Sequence, residues 1–256
     1  MNLLTGDIVE KFYTFLWPLT RIAAALMTVP ILSVDAANAR VRLMLALALT
    51  LLIFPMFTWP IIDPISSLGI TTMFNQVGIG VMMGLTLQVI TAAMIVAGQA
   101  ISSAMGLSMS NLLDPNLGNV PVLSQFLIIL STLIFLGTGG HLMLISILLD
   151  SFTLIPVGQS LLSLAAIGKL LAWSSRMFLG AVLIGLPVMV TLLVVNIGLG
   201  VMTRAAPSLN IFVVGLPATI LAGFMILLLS MGSIGSRIQW LWLQGFAHVR
   251  DVLGIS

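Results

Sequence analysis

The sequence contains no cysteine. Disulfides, iron–sulfur clusters and thiolate metal sites are therefore excluded. Histidine occurs only at His141 and His248, and Glu10 is the only glutamate. A histidine–carboxylate metal centre has almost nothing to be built from, and no cofactor is expected. Charge is equally scarce. Only 6% of the 256 residues are charged, whereas a soluble domain carries about 25%. So few charges cannot cover a surface that faces water. Basic runs and aromatic–basic platforms are missing too, so no nucleic-acid partner is expected. The sequence pI of 9.7 rests on a net charge of only +2. There is no Gly-Lys-Ser/Thr phosphate loop, so any energy for work must come from elsewhere.

What is present is apolar. Hydrophobic residues make up 60% of the chain, and mean hydropathy is +1.24. Such a chain must be solvated by lipid, by other apolar subunits, or by both. The composition predicts an all-α membrane protein: several long, kinked hydrophobic helices in one intertwined domain over 1–256, with no soluble domain. Asp7 and Glu10 precede the first apolar run, where a cleavable signal would carry positive charge. The first segment is expected to stay in the mature protein.

Apolar runs cover about 12–32, 41–62, 73–109, 122–149, 164–202 and 209–231. Pro187 predicts a kink near Gly185 in the fifth run. The last segment, from Arg237 to Leu253, reads as an amphipathic helix at an interface or against a partner. Ile238, Leu241, Trp242, Gly245, Val249 and Val252 share its apolar face. Arg40 and Arg42 favour a cytoplasmic loop under the positive-inside bias.

Several residues stand out against this background. Gly80, Gly84, Gln88, Thr91, Gln99, Ser102 and Gly106 follow one stripe along the third run. The stripe suits close helix packing or a water-filled path. Arg21 interrupts the first run, where a charge costs about 2.5–3.5 kcal/mol on insertion scales. It can snorkel, pair with Glu10 or Asp35, or meet another chain. We assign it as a subunit contact, together with Arg40, Arg42 and His141. Ser108 with His141 resembles a serine–histidine pair, but Met109 stands where intramembrane serine proteases carry glycine. The sixteen methionines are scattered and read as core filler. Between Ser66 and Leu149 the only charged residue is Asp114, so no proton relay can be drawn there. A stand-alone permease remains the alternative of a different class. A permease should stay monodisperse alone in detergent, whereas a chain completed by neighbouring subunits should be recovered only with partners.

The most polar stretch within the apolar region is Asn111 to Pro121, with turn chemistry at Asp114-Pro115 and Asn116 to Gly118. The block from Gly106 to Leu127 resembles the central motif of the flagellar biosynthesis family FliR. Gly140-His141-Leu142, Ser151-Phe152 with Pro156, Arg40-Val-Arg-Leu and Asn210-Ile-Phe-Val-Val-Gly-Leu-Pro fit the same pattern in order. The resemblance spans nearly the whole chain. The equivalent family of virulence injectisomes is the nearest competitor, and the Asp114-Pro115-Asn116 turn favours the flagellar branch.

That resemblance implies a non-enzymatic subunit of the type III protein export gate at the flagellar basal body, in the bacterial inner membrane. It implies assembly with several copies of FliP and FliQ, with FlhB, around a closed pore for unfolded flagellar proteins. A FliP-like front part over about 1–160 and a FliQ-like hairpin over about 161–256 are expected. The family's pore plug maps onto Gly106, Ser110, Asn111, Leu112, Leu113, Asp114, Pro115, Asn116 and Gly118. Leu112 and Leu113 stand where some relatives carry a bulky aromatic.

Overall fold

The computed structural model describes residues 2–30, 38–107, 121–159, 164–205 and 211–254. Among them are eight α-helices and no strand. They are α1 (Asn2–Thr28), α2 (Ala39–Ile53), α3 (Ser67–Ala104) and α4 (Val122–Gly137), then α5 (Gly140–Leu154), α6 (Leu164–Ser174), α7 (Arg176–Ala205) and α8 (Ile211–Leu253). Four stretches are long and apolar enough to cross a membrane: Ala39–Met56, Ser67–Ala104, Leu164–Ala205 and Gly215–Leu253. The bent pair α4/α5 makes a fifth if it counts as one span. The all-α membrane class is thus observed. The helix α1 is not in this group, because Pro18, Arg21 and its polar residues dilute the apolar run.

Local chemistry explains where the helices start and stop. The Ser66 hydroxyl oxygen accepts the Gly69 amide proton at 3.0 Å, which caps the first turn of α3. Asp63 Oδ1 accepts from the Ile65 amide in the turn before it. This cap starts α3 six residues ahead of the run expected from residue 73. The second run ends early, at a 3-10 turn over Phe54–Met56 that holds Pro55. The fourth run is two helices, not one, and α4 and α5 meet at 69°. Gly139 makes that bend with φ of +73°, a backbone region that costs glycine little. The fifth run breaks between Ser174 and Arg176. No break occurs at Pro187, which lies inside α7. The last two expected segments are one helix, α8, of 43 residues.

The chain divides into two compact units, each discontinuous in sequence. Unit 1 is Met1–Val89, Gly139–Ser174 and Gln244–Ser256; unit 2 is Ile90–Thr138 and Ser175–Leu243. The two units interleave along the sequence.

In unit 1, α1 and α3 cross closely. A side chain at Gly80 would strike Arg21 O and Ala24, and one at Gly84 would strike Thr28. Small residues four apart let two backbones approach, the usual way helices associate where lipid supplies no hydrophobic drive. The end of α6 meets the end of α8. There Lys169 Nζ donates to Asp251 Oδ1 at 2.9 Å, and Trp173 stacks on His248 with centroids 4.5 Å apart. The apolar face of the C-terminal segment is buried within the chain, with Ile238, Leu241, Trp242, Val249 and Val252 all hidden. It is therefore not a free interfacial face.

In unit 2, Gly98 lies against the backbone of Ser124, and Gly180 lies against Leu241 and Ala93. Trp242 Nε1 donates to Ser131 Oγ at 3.0 Å, and its ring tilts against Phe135.

Candidate functional site

The candidate site is where α3 ends and the polar segment begins. Gly106 has φ of +78°. The Leu107 amide donates to Ser102 O at 3.0 Å, and the Gly106 amide to Ser103 O at 3.1 Å. This pair of bonds is the Schellman arrangement, which closes a helix on a left-handed glycine. Gly106 therefore stops α3 and redirects the chain. Thr219 Oγ1 on α8 shares its one proton between Leu216 O at 2.9 Å and Met105 O at 3.3 Å, which sets α8 against the end of α3. On the far side, α4 begins after Pro121. Ser124 Oγ donates to Ile95 O at 2.9 Å, one turn from Gly98. Ser110, Asn111, Leu112, Leu113, Asp114, Pro115, Asn116 and Gly118 lie outside the described residues, as does Ser108 of the serine–histidine pair. The structure thus shows both footings of the segment, on α3 and α4 of the same unit.

The stripe on α3 is divided. Gly80, Gly84 and Ser102 are buried, Thr91 is half-buried, and Gln88 and Gln99 are exposed. Helical pitch gives the reason. Gln88 and Gln99 lie about 80–100° round the axis from Gly80, at one edge of the stripe. The glycines serve close packing, and the two amides face outward.

Arg21 is the clearest correction. It is fully buried within the chain and offers no surface to another subunit. Its Nε donates to Gln76 Oε1 at 2.7 Å, Nη1 to Ser151 O at 2.7 Å, and Nη2 to Ile155 O at 2.8 Å. The guanidinium carbon lies 4.4 Å from the centre of the Phe152 ring. Ser151 O and Ile155 O belong to the C-terminal end of α5, the negative end of the helix dipole. Arg21 therefore caps α5 from a neighbouring helix, and carbonyls take the place of a carboxylate. Neither Glu10 nor Asp35 is needed. Arg40 and His141 are exposed and Arg42 is half-buried, positions open to a role as contacts.

Sequence reasoning missed Gln76, Ser151 and Phe152. A buried arginine demands acceptors from other helices, and Gln76 was the available signal: an amide in an apolar run, four residues before Gly80. The carbonyls of Ser151 and Ile155 leave no signal in residue type.

Comparison with known proteins covers both footings and the segment between them. The family described as "Bacterial export proteins, family 1" matches residues 12–245. The chain is 35% identical to the flagellar biosynthetic protein FliR of Pectobacterium carotovorum, over 96% of this chain and 95% of that one. It is 35% identical to FliR of Escherichia coli K12, over 93% and 92%. FliR of Bacillus subtilis strain 168 is 30% identical over 98% and 94%. The chain belongs to the FliR family. FliR membership makes it a membrane-embedded component of flagellar protein export. The matched region also contains Arg21 with its acceptors, so it takes in most of both units.

Proposed function

We propose that this chain is a non-enzymatic subunit of the flagellar export gate in the bacterial inner membrane, within the basal body. In this reading it assembles with several copies of FliP and FliQ, and with FlhB, around a pore that passes unfolded flagellar proteins. The front part, about 1–160, is FliP-like, and the remainder is a FliQ-like hairpin. The observation that carries the reading is the family match across 12–245. The chemistry of the chain supports it. Helices α2 and α7 leave most of their apolar residues uncovered, including Met44, Leu51, Val190 and Val194. Faces of this kind suit lipid or neighbouring subunits.

The segment from Gly106 to Val120 acts as the plug. Support comes from its footings: a glycine cap at one end and a glycine–serine contact at the other hold a polar stretch between two helices. Arg40, Arg42 and His141 are subunit contacts in this reading, and Gln88, Thr91 and Gln99 line a polar face.

Deletion of Asn116 to Asn119 tests the plug. Cells making the assembled gate with this deletion should leak small ions, measured as loss of membrane potential. Unchanged ion permeability would count against it.

A further inference from the structure

Two side chains in unit 1 carry polar protons that no protein group receives. Trp17 on α1 and Gln76 on α3 are fully buried. Neither Trp17 Nε1 nor Gln76 Nε2 has an acceptor among the described residues. Buried donors in native proteins are nearly always paired, with protein, water or an ion. Turning the Gln76 amide over gives no relief. Its Oε1 accepts from Arg21 Nε at 2.7 Å, and exchanging oxygen for nitrogen would set N–H against N–H. Arg21 thus fixes which end of the amide is left over.

Register puts both donors at one level. Gly80 lies against Arg21 and Ala24, and Gly84 lies against Thr28, so α1 and α3 run in the same direction. Trp17 and Gln76 each precede these contacts by one helical turn. Helical side chains lean toward the N-terminus, and the bond to Gln76 shows that Arg21 reaches back to this level. The guanidinium is fully buried, and its acceptors are all neutral: Gln76 Oε1, Ser151 O and Oγ, and Ile155 O. Among the described residues no carboxylate lies within ion-pair distance of it. Nη2 gives one proton to Ile155 O and has a second to give. The face of Phe152 attracts the cation but carries no countercharge.

We propose that Trp17, Gln76 and Arg21 together bind one small monovalent anion of chloride size. The unpaired groups here are donors, and the buried charge is positive. A single anion accepts from the indole, the amide and the guanidinium at once, and it cancels a charge that is otherwise costly to bury. A water accepts from both N–H groups, but it leaves the charge uncancelled and brings two further protons to a place of donors. Close approach of α1 and α3 at Gly80 restricts the occupant to a single centre. The inference does not depend on what the protein exports.

Thermal unfolding of the full-length chain, purified in detergent with whatever subunits accompany it, provides the test. The probes are chloride, bromide and gluconate at equal ionic strength. Chloride and bromide should raise the midpoint and saturate, whereas gluconate is too large to enter and should not. Trp17→Phe should raise the chloride concentration for half the effect about tenfold, the loss of one bond to a charged partner. Gln76→Glu gives Arg21 a fixed carboxylate. It should abolish the chloride dependence and hold the midpoint at or above that of the unchanged chain in gluconate. Equal midpoints in chloride and gluconate would overturn the proposal and leave water as the occupant. A chloride dependence unchanged in both variants would overturn it by placing the ion elsewhere. If Gln76→Glu fails to fold, bromide tests the unchanged chain directly. Its anomalous scattering from crystals should peak within hydrogen-bonding distance of Trp17 Nε1, and no peak there would overturn the site.

Discussion

The two units share glycine packing and interhelical hydrogen bonds but differ in what each is built round. Unit 1 is organised round a buried cation: Arg21 gathers an amide from α3 and two carbonyls from the end of α5, over the ring of Phe152. Unit 2 is organised round missing side chains. Gly98 admits the backbone of Ser124, Gly180 admits Leu241, and Gly223 admits Met105. Lipid tails are as apolar as leucine, so burying apolar surface gives helices little reason to associate in a bilayer. Hydrogen bonds and close packing remain, and this chain uses both in each unit; a buried charged side chain is found in unit 1 alone among the described residues. The difference matters for the candidate site. Both footings of the polar segment stand in unit 2, where glycine contacts and hydrogen bonds between neutral groups hold them.

The comparison breaks most sharply at Arg21. Arg21→Ala removes the cation and strands Gln76 Oε1 and Ile155 O in a dry interior. Each buried acceptor left without a partner costs about 1–3 kcal/mol, so the combined loss should exceed about 3 kcal/mol. Thermal unfolding in detergent should show it as the largest drop of any single substitution considered, with α5 losing its cap. Retention of wild-type stability would mean that the carbonyls find other donors and that unit 1 is not built on this residue.

Gly98 offers the matching test in unit 2. A Cβ there would fall on the backbone of Ser124, and backbone cannot rotate away. Gly98→Ala should therefore cost about 1–3 kcal/mol, the usual range for overpacking. It should also shift the start of α4, breaking the bond from Ser124 Oγ to Ile95 O. Increased ion leak through the proposed gate, beyond that of an Arg21→Lys protein of similar stability, would tie the footing to the proposed plug.

Much of this was legible in the sequence, and the gaps have physical causes. The helical membrane class follows from composition alone. The glycine spacing at Gly80 and Gly84 gave the packing face. The separate footing at Ser66 was hidden because a cap is a local hydrogen bond, invisible to hydropathy. The bend at Gly139 was hidden for a related reason: Gly137, Gly139 and Gly140 all fall inside one apolar run, and only a positive φ marks the one that turns the chain. Pro187 does not end the helix, since a helix packed among neighbours tolerates a proline that would break it in water. Arg21 was recognised as anomalous but assigned outward. Its acceptors are main-chain carbonyls at a helix end, supplied by geometry and not by residue type. The polar segment was found from its turn residues and its family likeness, whereas its footings came from structure.

Gly223 gives the mildest and most discriminating of the tests. A Cβ at this position would meet Met105 Cε and Cγ at 2.6 Å. The contact is as tight as others in unit 2, but the obstacle is a side chain. Methionine is unbranched and turns about three bonds, so it can move aside where backbone cannot. Gly223→Ala also gains helix propensity worth roughly 1 kcal/mol relative to glycine, which offsets the repacking. The net change should be within about 0.5 kcal/mol of wild type. Double substitution with Met105→Ala should then relieve the contact, and the coupling between the two positions measures how much the methionine yields. A loss at Gly223 as large as that at Gly98 would show that distance alone governs unit 2. A small one would show that what stands opposite each glycine, backbone or flexible side chain, decides which of these contacts the fold depends on.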